Sequence, residues 1–193
     1  CTMCSGADTL QGGQGDDTYI LADTDDIVIE AAGEGIDTVY TKVGHNLSAH
    51  VDNLKTLSTD GYIVRAVFTG NDLDNTISLL STYSNSTIDG GAGADTMISA
   101  ASSTTFHVDN VNDRIVTTSS AGHTVVSSVS WDLAGMTSST LRLTGNGTDG
   151  IGTAGYDRLE STGWNNVLVG GAGDDTYKIQ WSEALQTYSA QVV

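Results

Sequence analysis

Nine residues recur in this chain with their small, acidic and apolar members in a fixed order. Gly12-Gly13-Gln14-Gly15-Asp16-Asp17-Thr18-Tyr19-Ile20 returns as Gly90-Gly91-Ala92-Gly93-Ala94-Asp95-Thr96-Met97-Ile98 and as Gly170-Gly171-Ala172-Gly173-Asp174-Asp175-Thr176-Tyr177-Lys178. The shared pattern is Gly-Gly-x-Gly-x-Asp-x-U-x, with U large and apolar. The glycines let six residues turn tightly and aim backbone carbonyls inward. The last three residues then form a short strand, in which side chains alternate and U points inward. Tyr19, Met97 and Tyr177 are therefore expected in the core.

The Asp at position six adds a carboxylate to that ring of carbonyls. Calcium is a hard cation that takes six to eight oxygens, roughly 2.3–2.6 Å away, so two stacked turns can enclose it where one cannot. On these residues the chain resembles the RTX (repeats-in-toxin) family of secreted bacterial proteins. The resemblance implies an all-β fold, a right-handed parallel β-roll or β-solenoid with calcium bound in its Gly-Asp-rich turns. In such a roll two nonapeptides make one coil, so turns two frames apart lie on the same side and share an ion.

Composition fits this reading. Asp+Glu 24 against Lys+Arg 7 gives a net charge of −17, beside Gly 23 and Pro 0. Acidity of this degree argues against nucleic acid and against anionic membrane surfaces as partners. Composition alone would favour disorder, but many of the acids fall on position six of the nonapeptide frame, which makes calcium the missing stabiliser and folding metal-coupled. No apolar run approaches the roughly twenty residues that cross a bilayer, so no membrane insertion is expected. The chain starts at Cys1 without Met or a cleavable signal, as a fragment or processed product would. Cys1 and Cys4 have no second Cys pair or nearby His to make a zinc or redox site, and Cys4 stands at a Gly position of a decayed repeat.

The frames can be followed along the chain. Met3 to Gln11 is a worn copy with Asp8 and Leu10, and Leu21 to Ile29 keeps Asp26 and Val28. After a short slip, Ala32 to Tyr40 restores Asp37 and Val39. Gly70 to Ile77 has Asn75 at position six, a neutral oxygen ligand for a weaker site, and Ser81 to Asp89 follows with Ile88 at U. Four frames then run together, with Met97, Phe106, Ile115 and Val125 at U and Asp95, Thr104, Asp113 and His123 at position six. Three more cover Thr144 to Gly152 (Asp149, Ile151), Gly152 to Glu160 (Asp157, Leu159) and Ser161 to Val169 (Asn166, Leu168). The expected calcium pairs are Asp8 with Asp26, Asp17 with Asp37, Asp95 with Asp113, Asp157 with Asp175 and, more weakly, Asp149 with Asn166. None is expected between Thr104 and His123.

In rolls of this family the earlier turn gives oxygens from positions two, four and six and the later turn from one, three and six. The resemblance thus implies Gly13, Gly15 and Asp17 facing Ala32, Glu34 and Asp37, and Gly91, Gly93 and Asp95 facing Val108, Asn110 and Asp113. It also implies Thr153, Gly155 and Asp157 facing Gly170, Ala172 and Asp175, and Cys4, Gly6 and Asp8 facing Leu21, Asp23 and Asp26. Roughly four to six calcium ions follow from oxygen-ligand pairing of stacked turns.

Two stretches lack the turn signature. Thr41 to Phe68 keeps spaced apolar residues at Val43, Leu47, Val51, Leu54, Leu57, Ile63, Val64 and Val67, as coils without calcium would. The second stretch echoes the first, since Thr38 to Leu47 aligns with Thr124 to Leu133. Residues 1–193 are therefore read as one roll of two long units of about eighty residues, about 12–89 and 90–169, with the start of a third. The tail 179–193 breaks the frame and is read as an apolar cap, with a secretion signal as the alternative.

No His-Glu-x-x-His or Gly-x-Ser-x-Gly motif is present. His45, His50, His107 and His123 are not spaced as a cluster and are read as surface or turn residues. The chain is thus expected to be no enzyme but a calcium-binding structural module of an extracellular or cell-surface bacterial protein, exported by a type I system and folding on calcium outside. Two alternatives stay open: the C-terminal roll of a secreted hydrolase such as a protease or lipase, and a self-assembling surface-layer, adhesin or filament subunit.

Overall fold

The tetrad that follows each turn, Thr18-Tyr19-Ile20-Leu21 for instance, is long enough for one strand and no more. Its alternation puts Tyr19 and Leu21 in and Thr18 and Ile20 out, and β-branched Thr suits the pleated outer surface. The computed structural model describes residues 6–57, 65–80, 85–118 and 122–180 and the backbone of Ala190–Val192. Among them there are strands and turns and no helix, so none is long and apolar enough to cross a membrane.

Consecutive strands alternate between two faces of a parallel β-solenoid. One face carries β2 (Thr18–Leu21), β4 (Thr38–Thr41), β6 (Asn53–Thr56), β8 (Thr76–Leu79), β10 (Thr96–Ser99) and β12 (Arg114–Thr117), bonded in that order. A second sheet follows it, of β14 (Trp131–Asp132), β16 (Asp149–Ile151), β18 (Asn166–Val169) and β20 (Ala190–Val192). The other face begins with the pair β1 (Thr9–Leu10) and β3 (Ile27–Val28). It continues as an eight-stranded sheet: β5 (His45–Asn46), β7 (Val67–Thr69), β9 (Thr87–Asp89), β11 (Thr105–Val108), β13 (Thr124–Ser127), β15 (Thr140–Leu143), β17 (Arg158–Ser161) and β19 (Thr176–Ile179).

In-register pairing stacks like on like. Tyr19, Val39, Leu54, Ile77, Met97 and Ile115 form one inward column; Phe68, Ile88, Phe106, Val125, Leu141, Leu159 and Tyr177 form the other. Most of these are fully buried, Phe68 and Phe106 at 0% exposure. Tyr177, in the last coil of its column, is partly buried against the core.

In the unsigned stretches a hydroxyl closes the turn that a carboxylate closes elsewhere. Thr41 Oγ1 donates to the Val43 carbonyl and accepts the Val43 N–H, and Ser127 does the same with Val129. These stretches are coils of the same solenoid, as expected.

In β7 Phe68 faces the core and Val67 lies outside it. Two expectations need correction. The frame drawn over Thr144 to Gly152 sits one residue late: Gly150 points inward and Ile151 is 43% exposed. A Cβ at 150 would come within 3.0–3.2 Å of the Leu141, Leu143 and Leu168 side chains, which would have to shift to admit it. His45 and His123 are buried, His45 in register with Phe68 in the core column. The stretch starting at Thr38 forms β4 and its echo at Thr124 forms β13, on the opposite face. Cys1, Cys4, Ile63, Val64, Ser81 and most of the tail, Trp181, Leu185 and Tyr188 included, lie outside the described residues.

Candidate metal centres

The three full nonapeptides share one backbone. Gly13, Gly91 and Gly171 have φ of 82°, 82° and 93°, and Gly15, Gly93 and Gly173 have φ of 119°, 121° and 114°. These left-handed angles strain any residue with a Cβ. Stacking adds a second demand: a Cβ on Gly93 would lie 2.5 Å from the Leu73 carbonyl oxygen of the preceding turn, and one on Gly171 would overlap that of Thr153.

Position six forms a ladder that the nonapeptide pattern alone does not reveal. The Asp17 N–H donates to Asp37 Oδ1 at 2.8 Å, Asn75 to Asp95 Oδ1 at 2.7 Å and Asp95 to Asp113 Oδ1 at 2.9 Å. The same bond joins Asp8 to Asp26 at 3.1 Å, Ser139 to Asp157 at 3.0 Å and Asp157 to Asp175 at 3.1 Å. Each of these accepting carboxylates therefore caps the backbone of the coil before it. Asp52, outside any recognised frame, extends the ladder by accepting the Asp37 N–H at 2.8 Å.

The second oxygen of each group sorts the turns. In turns that have lost glycines it folds back on its own backbone: Asp26 Oδ2 accepts the Ala22 and Asp23 N–H groups, and Asp113 Oδ2 those of Asp109 and Asn110. The N–H groups of Asp8 and Asp23 hold the Asp26 carboxyl below its ordinary value. Asp157 Oδ2 accepts both the N–H and the hydroxyl of Thr153.

In the glycine turns of Asp17 and Asp95 it has no such partner. Asp17 Oδ2 and Asp95 Oδ2 are buried and accept no hydrogen bond among the described residues. Burial, with Asp113, Asp109 and Asp74 nearby, pushes the Asp95 carboxyl from 3.8 up to about 7, against the pull of the Asn75 N–H. Buried anionic oxygens without a donor are costly unless a cation meets them. The turns of Asp17 and Asp95 thus fit a hard cation on their own chemistry.

The asparagines use both ends of the amide. Asn75 Oδ1 accepts the Asn71 N–H of its own turn, while its Nδ2 donates to the carbonyls of Val51 and Asp52, both at 3.1 Å. Asn166 Oδ1 accepts the Thr148 N–H of the preceding coil, and its Nδ2 donates to the Gly145 carbonyl. In both, the amide nitrogen brings a donor to carbonyls where a carboxylate would bring charge.

The structure brings together Asp8 with Asp26, Asp17 with Asp37, Asp95 with Asp113 and Asp157 with Asp175. It does not bring Asp149 to Asn166: Thr148 stands there, and Asp149 is exposed one residue further on. Thr104 and His123 are neighbours through a hydrogen bond from the Thr104 N–H to His123 Nδ1 at 3.2 Å. Around Asp37, Glu34 spends its carboxylate on the Ala31 N–H, its carbonyl accepts the Gly15 N–H at 2.7 Å, and Ala32 is exposed. Val108 belongs to β11, with its side chain in the core and its carbonyl on the Ser128 N–H; Asn110 and Asp113 form the turn beyond it. In the last pair the Thr153 carbonyl accepts the Ala172 N–H at 3.2 Å, Gly170 N–H donates to the Tyr177 hydroxyl, and Gly155 lies against Gly173.

One acid escaped the sequence reading. Glu30 precedes the 31–37 turn, is buried at 8% exposure, and lies with Asp17 and Asp37 so that one carboxylate oxygen of each is within 4.8 Å of the others. Burial, with Asp37 beside it, pushes its carboxyl up. The only signal in the sequence was the slip that separates Asp17 and Asp37 by 20 residues where Asp95 and Asp113 are 18 apart.

Comparison with known proteins matches the RTX calcium-binding nonapeptide repeat, in four copies, to residues 5–28, 69–103 and 151–177. An endo-1,3-1,4-beta-glycanase, ExsH, of Rhizobium meliloti (strain 1021) is 42% identical over 89 residues, a stretch that is 46% of this chain and 16% of the glycanase. The chain thus spans a small part of that relative. No solved structure matches it.

Proposed function

We propose that this chain, which carries RTX calcium-binding nonapeptide repeats, is a structural module of an extracellular bacterial protein that folds when calcium binds after export. The observation that carries the reading is the pair of buried, unpartnered oxygens, Asp17 Oδ2 and Asp95 Oδ2, each in a glycine turn stacked on another acidic turn. Calcium supplies the positive charge that lets these carboxylates be buried. With a net charge of −17 the metal-free chain repels itself, and its turns favour the unfolded state at the low calcium inside a cell. The clefts proposed to hold calcium are those of Asp8 with Asp26, Asp17 with Asp37, Asp95 with Asp113, and Asp157 with Asp175. The residues give the chain scaffolding rather than catalysis.

The shared stretch with a glycanase favours one setting for the module, as the roll of a secreted hydrolase whose catalytic part lies elsewhere in the parent protein. A surface-assembling subunit would instead show growth in light scattering as calcium is added.

The test is far-UV circular dichroism of chelator-treated protein during calcium titration, beside Asp17→Ala and Asp95→Ala. Cooperative gain of β signal at about 0.1–1 mM calcium, shifted upward in both variants, is expected. A chain fully folded in chelator and indifferent to calcium would overturn the reading.

A further inference from the structure

The coil between Asp17 and Asp37 is two residues longer than those that join the other Asp pairs, 20 against 18. Just before the second turn of this coil an acid, Glu30, is turned inward. Glu30 is more than nine-tenths buried, and its two oxygens have different surroundings. Oε1 accepts the Tyr19 hydroxyl, in a short hydrogen bond, and the Gly12 N–H at 3.4 Å. Oε2 accepts nothing among the described residues, and neither does Asp17 Oδ2. No Lys, Arg or His forms an ion pair with Glu30; the ion pairs among the described residues involve Asp89 and Glu160.

The spacing is that of a coordination sphere. Oxygens on opposite sides of one calcium ion are about 4.6–5.2 Å apart, twice the metal–oxygen distance, and one carboxylate oxygen from each of Asp17, Glu30 and Asp37 lies within 4.8 Å of the other two. Tyr19 occupies the U position of its nonapeptide, and its ring fills the core while its hydroxyl reaches back to the turn. It holds Oε1, while Oε2 is buried and accepts no hydrogen bond among the described residues.

We infer that Glu30 is a third carboxylate ligand of the cation site between the 12–17 and 31–37 turns, held in position by Tyr19. The inference rests on the calcium reading above and adds to it a rank among the sites. Affinity in oxygen-ligand sites rises with the number of charged ligands. With three carboxylates around it, this site fills before those of Asp95 and Asp157 and takes a trivalent lanthanide most tightly. Tyr19 is a positioning residue, and its ring makes it a sensitiser for terbium bound beside it.

The experiment is calorimetric calcium titration of the intact chain, Glu30→Gln, Glu30→Asp and Tyr19→Phe, with terbium luminescence excited through tyrosine as a second readout. The intact chain should show one site tighter than the rest. Glu30→Gln should weaken that site by about 10–100-fold and leave the others as they were. Tyr19→Phe should weaken it less and abolish the earliest terbium emission. Glu30→Asp, which keeps the charge on a shorter arm, guards against a folding defect and should fall between the intact chain and Glu30→Gln. Unchanged affinity and order of filling in Glu30→Gln would overturn the role of Glu30 while calcium binding stands. An intact chain that binds no calcium would overturn both.

Discussion

Replacing Asp95 by Asn separates the two duties of a position-six carboxylate. Asn keeps the Oδ1 acceptor for the Asn75 N–H, and its nitrogen can donate to carbonyls of the preceding turn as Asn75 itself does. What is lost is the charge. In the metal-free fold that charge is a burden, since burial and the acids around it raise the carboxyl from 3.8 to about 7. At about 1.4 kcal/mol per pH unit the ceiling on this cost is ~4 kcal/mol above neutral pH, and water entering the turn roughly halves it. Asp95→Asn should therefore stabilise the metal-free fold by about 2 kcal/mol. In calcium that gain is offset. A site held at about 100 times its Kd contributes about 2.7 kcal/mol to folding, and a roughly hundredfold weaker site only ~0.4 kcal/mol, so the variant gains about 2 kcal/mol less from calcium and ends close to the intact chain. Urea unfolding followed by circular dichroism checks this, run in calcium and again in chelator with an osmolyte that populates the fold. A variant that loses stability in both conditions would refute the reasoning, because the carboxylate would then act only as a hydrogen-bond acceptor.

Two further outcomes follow from the same geometry. The Asp95 carboxyl binds its proton more tightly folded than unfolded, so the metal-free fold loses stability as pH rises from 3.8 to about 7. Asp26, whose carboxyl is lowered, loses its contribution as pH falls below its ordinary value of 3.8. In chelator the β signal should thus be greatest at about pH 4, fall as pH rises and level off above about pH 7, a slope that saturating calcium removes. For the glycines, Gly15→Ala and Gly93→Ala meet similar φ angles, 119° and 121°, but only the second meets a carbonyl, at 2.5 Å. Thermal unfolding in calcium should show a loss of about 1–3 kcal/mol for Gly15→Ala and roughly 1–3 kcal/mol more for Gly93→Ala.

The sequence made the solenoid legible wherever turn and strand letters agreed. Asp17 with Asp37 and Asp95 with Asp113 could be paired by counting frames, because one coil is two nonapeptides. Counting failed where the chain compensated for a lost letter. At Gly150 the inward residue is the smallest one, so an apolar-in rule picked Ile151 instead. At Asn75 and Asn166 the letter nearest to Asp reads as a weaker ligand, and counting does not show that the amide nitrogen also donates to carbonyls. Glu30 lies outside the nine-residue frame, and its place beside Asp17 depends on how a 20-residue coil folds back. His45 carries no periodic signal of its own and entered the core column because the strand register put it beneath Phe68.

The two faces of the solenoid are interrupted at different heights. Pairing on one face stops between β3 and β5, where β4 and β6 remain bonded on the other. The other face stops between β12 and β14, where β11 and β13 remain bonded. Like staggered joints in masonry, the gaps never share a course, so tension along the stack always meets one unbroken seam. The joints are then the two levels at which the rod is expected to yield sideways, one on each face. A module secured at one end and pulled from the other can absorb a tug by flexing there, while the stacked acidic turns of the intervening coils stay in register.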